Sequence, residues 1–121
     1  HLGEVNLGDV WHHSALGAAD SLESLVPFHK LSQWLSYSMV EPILAAEVDL
    51  WGAEKLTGLA EYRNGGLFLD KEVIKLKDPE LLKIEHEPGS ELIIEWRALT
   101  VQLLDRVGTH VQKALGKKPF E

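Results

Sequence analysis

The chain has 121 residues, 45% hydrophobic and 26% charged, with a net charge of −7 and no cysteine. That length suits one domain with a modest core, and the acidity argues against a general nucleic-acid or anionic-membrane binder. Without cysteine there are no disulfides, no thiolate catalysis and no cysteine metal sites in this stretch, and no apolar run is long enough for a membrane span.

The absence of cysteine fits an intracellular chain, and a cytoplasmic location is expected; no signal peptide is visible. The chain starts at His1 and ends at Lys117-Lys118-Pro119-Phe120-Glu121, which reads as a piece of a longer protein. Any site in it is then open to completion by residues elsewhere.

Residues 1–26 hold Gly3, Asn6, Gly8, Asp9, Ser14 and Gly17 with little sustained periodicity, and read as an irregular N-terminal arm. A short helical turn is expected near Ser21–Leu25. Trp11-His12-His13 lies in the arm, but adjacent histidines point to different sides of the chain. Exposed polar residues beside an anchoring tryptophan are the better reading.

The helical domain spans 27–121. Pro27 suits the first turn of a helix running to about Val40 or beyond. Leu31, Leu35 and Met39, spaced i, i+4, i+8, are expected to face the core. Lys30, Gln33 and Tyr37 fall within about 60° of one another on the other side, flanked by Trp34. Cation, amide, indole and phenol in a line suit a polar, planar or phosphorylated ligand; the same spacing also describes an ordinary solvated face. Pro42 should kink or restart the helix.

After a linker at Asp49–Gly52, Leu56, Leu59 and Ala60 follow the spacing of a buried helical face, predicting a helix over Ala53–Arg63. Asn64-Gly65-Gly66 would end it. Glu61 then sits in the last turn, where the helix dipole disfavours a carboxylate. A charge placed against its local field is either idle in solvent or functional. Arg63 returns towards the apolar face and needs an anionic partner if buried. A short helix is expected from about Gly66, then a loop.

Asp78-Pro79-Glu80 is a helix start, with an acid as cap and proline in the first position. Ser90 caps the last and longest helix, which runs to about Leu115 before Gly116. Its tightest stripe is Leu92, Trp96, Leu99, Leu103 and Val107. Arg97 lies among apolar positions, so Glu61 or Glu95 is the expected partner. The fold expected is all-α, one domain of about five helices.

No glycine-rich phosphate loop occurs, because Asn64-Gly65-Gly66 lacks the following lysine and hydroxyl residue. His29, His86 and His110 are scattered singly, without helical metal spacing, and no serine sits in a nucleophile elbow. Neither metal nor cofactor is expected. Carboxylate chemistry assisted by basic and aromatic groups remains.

Four blocks carry a resemblance. They are Leu7-Gly8-Asp9-Val10-Trp11; Leu25 to Leu35, with Phe28-His29-Lys30 and Gln33-Trp34; Leu56 to Asp70; and Gly89 to Thr100, with Glu95-Trp96-Arg97. Together they closely resemble the fungal and bacterial uracil catabolism protein 4 family, long filed as a domain of unknown function. Members are much longer, and these residues resemble their C-terminal part. The missing N-terminal part is expected to complete the fold.

More distantly, Phe28-His29-Lys30-Leu31-Ser32-Gln33 is similar to a Phe-Tyr-Lys-Arg-Ala-Gln block of the queuosine salvage nucleotide N-glycosidases. Leu59-Ala60-Glu61-Tyr62-Arg63 looks like their Phe-Ala-Asp-Tyr-Arg, in the same order along the chain. That resemblance implies a helical fold related to the helix-hairpin-helix DNA glycosylases, with Glu61 at the position of the catalytic aspartate. The departures are Glu for Asp, and Asn64-Gly65-Gly66 where those enzymes have Val-Pro.

The activity so implied is hydrolysis of the N-glycosidic bond of a ribosyl-urea (phosphate) intermediate, releasing urea. Glu61 would be catalytic; Phe28, His29, Lys30, Gln33, Trp34, Tyr62, Arg63, Asn64, Glu95 and Arg97 would bind the nucleotide-derived substrate. The alternative is a non-catalytic metabolite- or partner-binding helical module of the same pathway.

Overall fold

The computed structural model describes residues 3–19 and 21–117. Within the arm, strand β1 (Val10–His12) pairs antiparallel with β2 (Leu25–Pro27), matching Val10 to Pro27, Trp11 to Val26 and His12 to Leu25. A 3-10 turn at Leu22–Ser24, where a helical turn was expected, leads into β2. Pro27 therefore closes a strand and does not open a helix. It has no N–H to donate, so the end of a short edge strand suits it.

Helix α1 (Lys30–Ala45) begins three residues after Pro27, behind His29 in the left-handed region at φ 45°, and carries Pro42 through its last turn. Its orientation reverses the expectation. Leu31, Leu35 and Met39 point outward, at 76%, 55% and 44% exposure. The Gln33 and Tyr37 side turns inward: Gln33 Nε2 donates to Thr57 Oγ1 at 2.8 Å, and the Tyr37 hydroxyl donates to the Thr57 carbonyl at 2.7 Å.

The predicted helix over Ala53–Arg63 is absent. Ala53–Lys55 form one 3-10 turn, the chain then runs extended, and α2 (Tyr62–Asp70) begins just after Glu61. The apolar spacing of Leu56, Leu59 and Ala60 comes from a loop laid along another helix. Gly58 N donates to Asp105 Oδ1 at 2.6 Å, and a Cβ on Gly58 would lie 2.5 Å from Leu104 Cβ. Asn64-Gly65-Gly66 lie inside α2 and do not end a helix.

The start at Asp78 is seen, with Asp78 Oδ1 accepting from Glu80 N at 3.0 Å, but it opens a 3-10 turn (Pro79–Lys83) and no α-helix. Three α-helices, not five, are therefore present among the described residues. The last is α3 (Glu91–Leu115), which ends at Gly116 in the left-handed region (φ 64°) as expected; it starts after Ser90, but the Ser90 side chain makes no capping bond, contrary to expectation.

The small core gathers on α3. Ile94, Arg97 and Thr100 are buried there, joined by Ala60, Ser24 and His13. The expected stripe lies to one side, since Leu99 and Val107 remain exposed. Helix α2 closes on α3 through Gly65, where a Cβ would meet Thr100 Oγ1 and the Trp96 ring at 2.7 Å. Among the described residues, no helix is long and apolar enough to cross a membrane.

Candidate functional site

Glu61 stands at the N-terminal end of α2, in extended geometry (φ −84°, ψ 135°), and its side chain makes no capping bond. The dipole argument made from sequence is thereby reversed in sign, because the positive end of α2 favours negative charge there. The Glu61 side chain is 24% exposed, with Oε1 3.9 Å from Lys30 Nζ and Oε2 3.7 Å from Arg63 Nε. Lys30 comes from the first residue of α1, so two helix starts bring an acid and a cation together. Arg63 is mostly in solvent, at 83% side-chain exposure.

Arg97 does not pair with Glu61 or Glu95. It makes a two-pronged bond to Asp9, with Nη1 to Oδ1 and Nη2 to Oδ2 both at 2.8 Å, and its guanidinium lies 4.0 Å from the centre of the Phe28 ring. Asp9 Oδ1 also accepts from Trp11 Nε1 at 2.9 Å, and Asp9 Oδ2 from the backbone N of Lys30 at 3.2 Å. The backbone N–H groups of Phe28 and His29 both donate to the Asp9 carbonyl. Asp9 thus caps α1 from outside, where His29 gives no capping bond.

The Arg97 fork, before any other cause, holds the Asp9 carboxyl well below the usual carboxylate range; burial opposes this, and the bonds from Trp11 and the Lys30 backbone add to it. This pair ties the arm, α1 and α3 together at the base of the Lys30–Glu61 contact.

The remaining expected residues are dispersed. The Tyr62 ring stacks on Trp96, with centroids 5.5 Å apart and planes at 16°. Glu95, 66% exposed, meets His13 Nε2 at 3.2 Å, while His12 Nδ1 lies 2.7 Å from Ser24 Oγ. The two arm histidines are therefore held, contrary to the exposed pair expected. His29 and Trp34 are exposed, and Asn64 is half-buried within α2.

Lys30 borders two hollows. One, of about 360 Å³, is lined by Phe28, Gln33, Thr57, Ala60 and Gln102 among others. The other, of about 470 Å³, is lined by Gly8, Asp9, His29, Leu31 and Ser32. A third, of about 520 Å³, lies between Tyr37, the 53–58 loop and the second half of α3. There burial, and then the charge of Asp105, push the Tyr37 phenol upward. Among the described residues, no three His, Asp or Glu side chains are placed to share a metal ion.

Sequence reasoning missed Asp9, Thr57 and Trp96. Asp9 left one signal, as an acid embedded between glycine and β-forming residues with a buried arginine elsewhere needing a counter-ion. Thr57 and Trp96 left none beyond ordinary polarity and periodicity.

Two curated relatives match most of the chain. Protein urg3 of Schizosaccharomyces pombe is 45% identical over 111 residues, covering 91% of this chain and 26% of that protein. Uracil catabolism protein 4 of Lachancea kluyveri is 37% identical over 130 residues, covering 90% of this chain and 30% of that protein. The chain thus spans less than a third of the length of these relatives. No solved structure matches. The sequence matches the family described as Protein of unknown function (DUF1688) over residues 1–121, and the chain belongs to that family.

Proposed function

We propose that this chain supplies the reacting acid and a substrate cation of a cytoplasmic hydrolase in uracil catabolism. The reaction is cleavage of the N-glycosidic bond of a ribosyl-urea, taken as its phosphate ester, with release of urea. The pathway is supported by the relative named Uracil catabolism protein 4. The chemistry rests on one observation: a half-buried carboxylate, Glu61, faces Lys30 at 3.9 Å at the start of a helix.

Such a reaction passes through a sugar cation. The C1′–N bond breaks with its electron pair leaving on the urea nitrogen, water oxygen bonds to C1′, and one water proton is lost as the urea nitrogen gains one. An ionised carboxylate beneath the sugar stabilises the cation and accepts the proton from the attacking water. The start of α2 and Lys30 hold Glu61 in place for that role. Lys30 and the exposed Arg63 suit the phosphate, as point charge and fork. Tyr62, braced on Trp96, offers a flat face to the sugar or urea. Arg97 and Phe28 enter as positioning residues, because the guanidinium is already held by Asp9. Kinship with the helix-hairpin-helix glycosylase fold belongs to the same proposal, on the order of the motif blocks.

The test is urea release from ribosyl-urea phosphate by the full-length protein. Glu61→Gln is expected to lower turnover by roughly 10²- to 10⁴-fold with the fold retained. Unchanged turnover removes Glu61 from the chemistry. Saturable binding of the same compound without product, indifferent to Glu61, would favour the non-catalytic module.

A further inference from the structure

We infer that the outer face of α1 is the docking surface for the part of the family's longer chain that lies outside these 121 residues. The occupant is an apolar surface of the same polypeptide. This inference does not rest on the proposed reaction.

Helix α1 buries none of its residues, yet of its sixteen side chains only Lys30 and Glu41 are charged. A helix that lives in water on one side carries charges there. At about 100° per residue, Leu31, Trp34, Leu35, Ser38, Met39 and Pro42 share an arc of roughly 140° that contains no charge. Along it Leu31, Trp34, Leu35 and Met39 are 76%, 55%, 55% and 44% exposed. The opposite side is already used, by Gln33 and Tyr37 on Thr57 and by Lys30 on Glu61. From Leu31 to Pro42 this stripe is about 17 Å long. Contiguous exposed apolar surface of that kind marks an interaction site.

The lengths of the relatives identify the occupant. This chain matches only 26% and 30% of the two curated proteins, so more than two-thirds of each lies elsewhere in the same polypeptide. A tethered surface competes at an effective concentration near millimolar, well above that of a second copy in the cell. A membrane surface is the weaker match, because the stripe lacks the lysines and arginines that flank interfacial helices.

The test uses the full-length protein. A photo-reactive benzoylphenylalanine replacing Trp34, an aromatic for an aromatic, should cross-link within one polypeptide to a peptide outside residues 1–121. In a separate variant, Leu35→Cys should react with maleimide at least tenfold more slowly in the native than in the denatured protein, read by mass spectrometry of that peptide. Circular dichroism and monomer mass confirm folding of each variant. Cross-links joining two copies, cross-links confined to residues 1–121, or equal labelling rates would each overturn the inference.

Discussion

Replacing Asp9 by asparagine keeps its shape and removes its charge. Arg97, at 8% side-chain exposure, then loses its counter-ion while staying packed over Phe28. Breaking a buried pair from one side costs about 3–5 kcal/mol. The Asp9 side chain is itself 29% exposed, so solvent reduces this towards about 2 kcal/mol. For a chain of this size that lowers Tm by roughly 6–10 °C. Denaturant melts followed by tryptophan fluorescence suit the measurement, because Trp11 Nε1 donates to the same carboxylate.

The pH dependence adds a second check. The folded Asp9 carboxyl titrates below its unfolded value of roughly 3.9. A depressed carboxyl contributes stability that is complete above the unfolded value and lost as pH falls through the folded one. The gap between native protein and Asp9→Asn should therefore be constant from pH 7 to 5 and narrow below about pH 4. In an Arg97→Met background, Asp9→Asn should cost less than about 0.5 kcal/mol. A gap that persists unchanged at pH 3, or an equal cost in both backgrounds, would refute the role given to the pair.

Three further outcomes are expected. Gly65→Ala should destabilise the protein by about 1–2 kcal/mol in thermal melts, because overpacking against Trp96 and Thr100 exceeds the helix-propensity gain of alanine; a neutral or stabilised variant would contradict the close α2–α3 approach. The Tyr37 phenol should ionise above the ordinary value of about 10 in ultraviolet titration, and Asp105→Asn should bring it down. Under the proposed reaction, Lys30→Met should raise KM for the phosphorylated substrate at least tenfold and change KM for the unphosphorylated one much less, as steady-state kinetics will read.

The parts of the fold legible in sequence were those fixed by local chemistry. The bounds of α3 are the ones that Ser90 and Gly116 marked; Gly116 ends it as a left-handed terminator, although the Ser90 hydroxyl makes no capping bond. Asp78-Pro79 began a turn, its cap acting within a few residues. What failed depended on partners far along the chain. Leu56, Leu59 and Ala60 imitate a helical face because they lie along α3, and Gly65 looks like a stop signal when its role is to let Trp96 in. Leu31, Leu35 and Met39 form a regular stripe, but periodicity marks an apolar face without saying what covers it. At the site, Lys30 and Glu61 stood out by residue type and position, and the fold sets them 3.9 Å apart. Arg97 was given the wrong acid, since a pairing across 88 positions leaves no trace in spacing.

Helix α2 acts as a short lever whose fulcrum is a missing methyl group. Gly65 rests directly on α3, and the Glu61 carboxyl hangs one turn away at the lever's tip, 3.9 Å from Lys30. A side chain at position 65 has to push α2 away from Trp96 and Thr100, and Glu61, one turn away, is the acid such a shift would carry with it. Substitutions at position 65 should therefore dull whatever Glu61 does well before they unfold the chain.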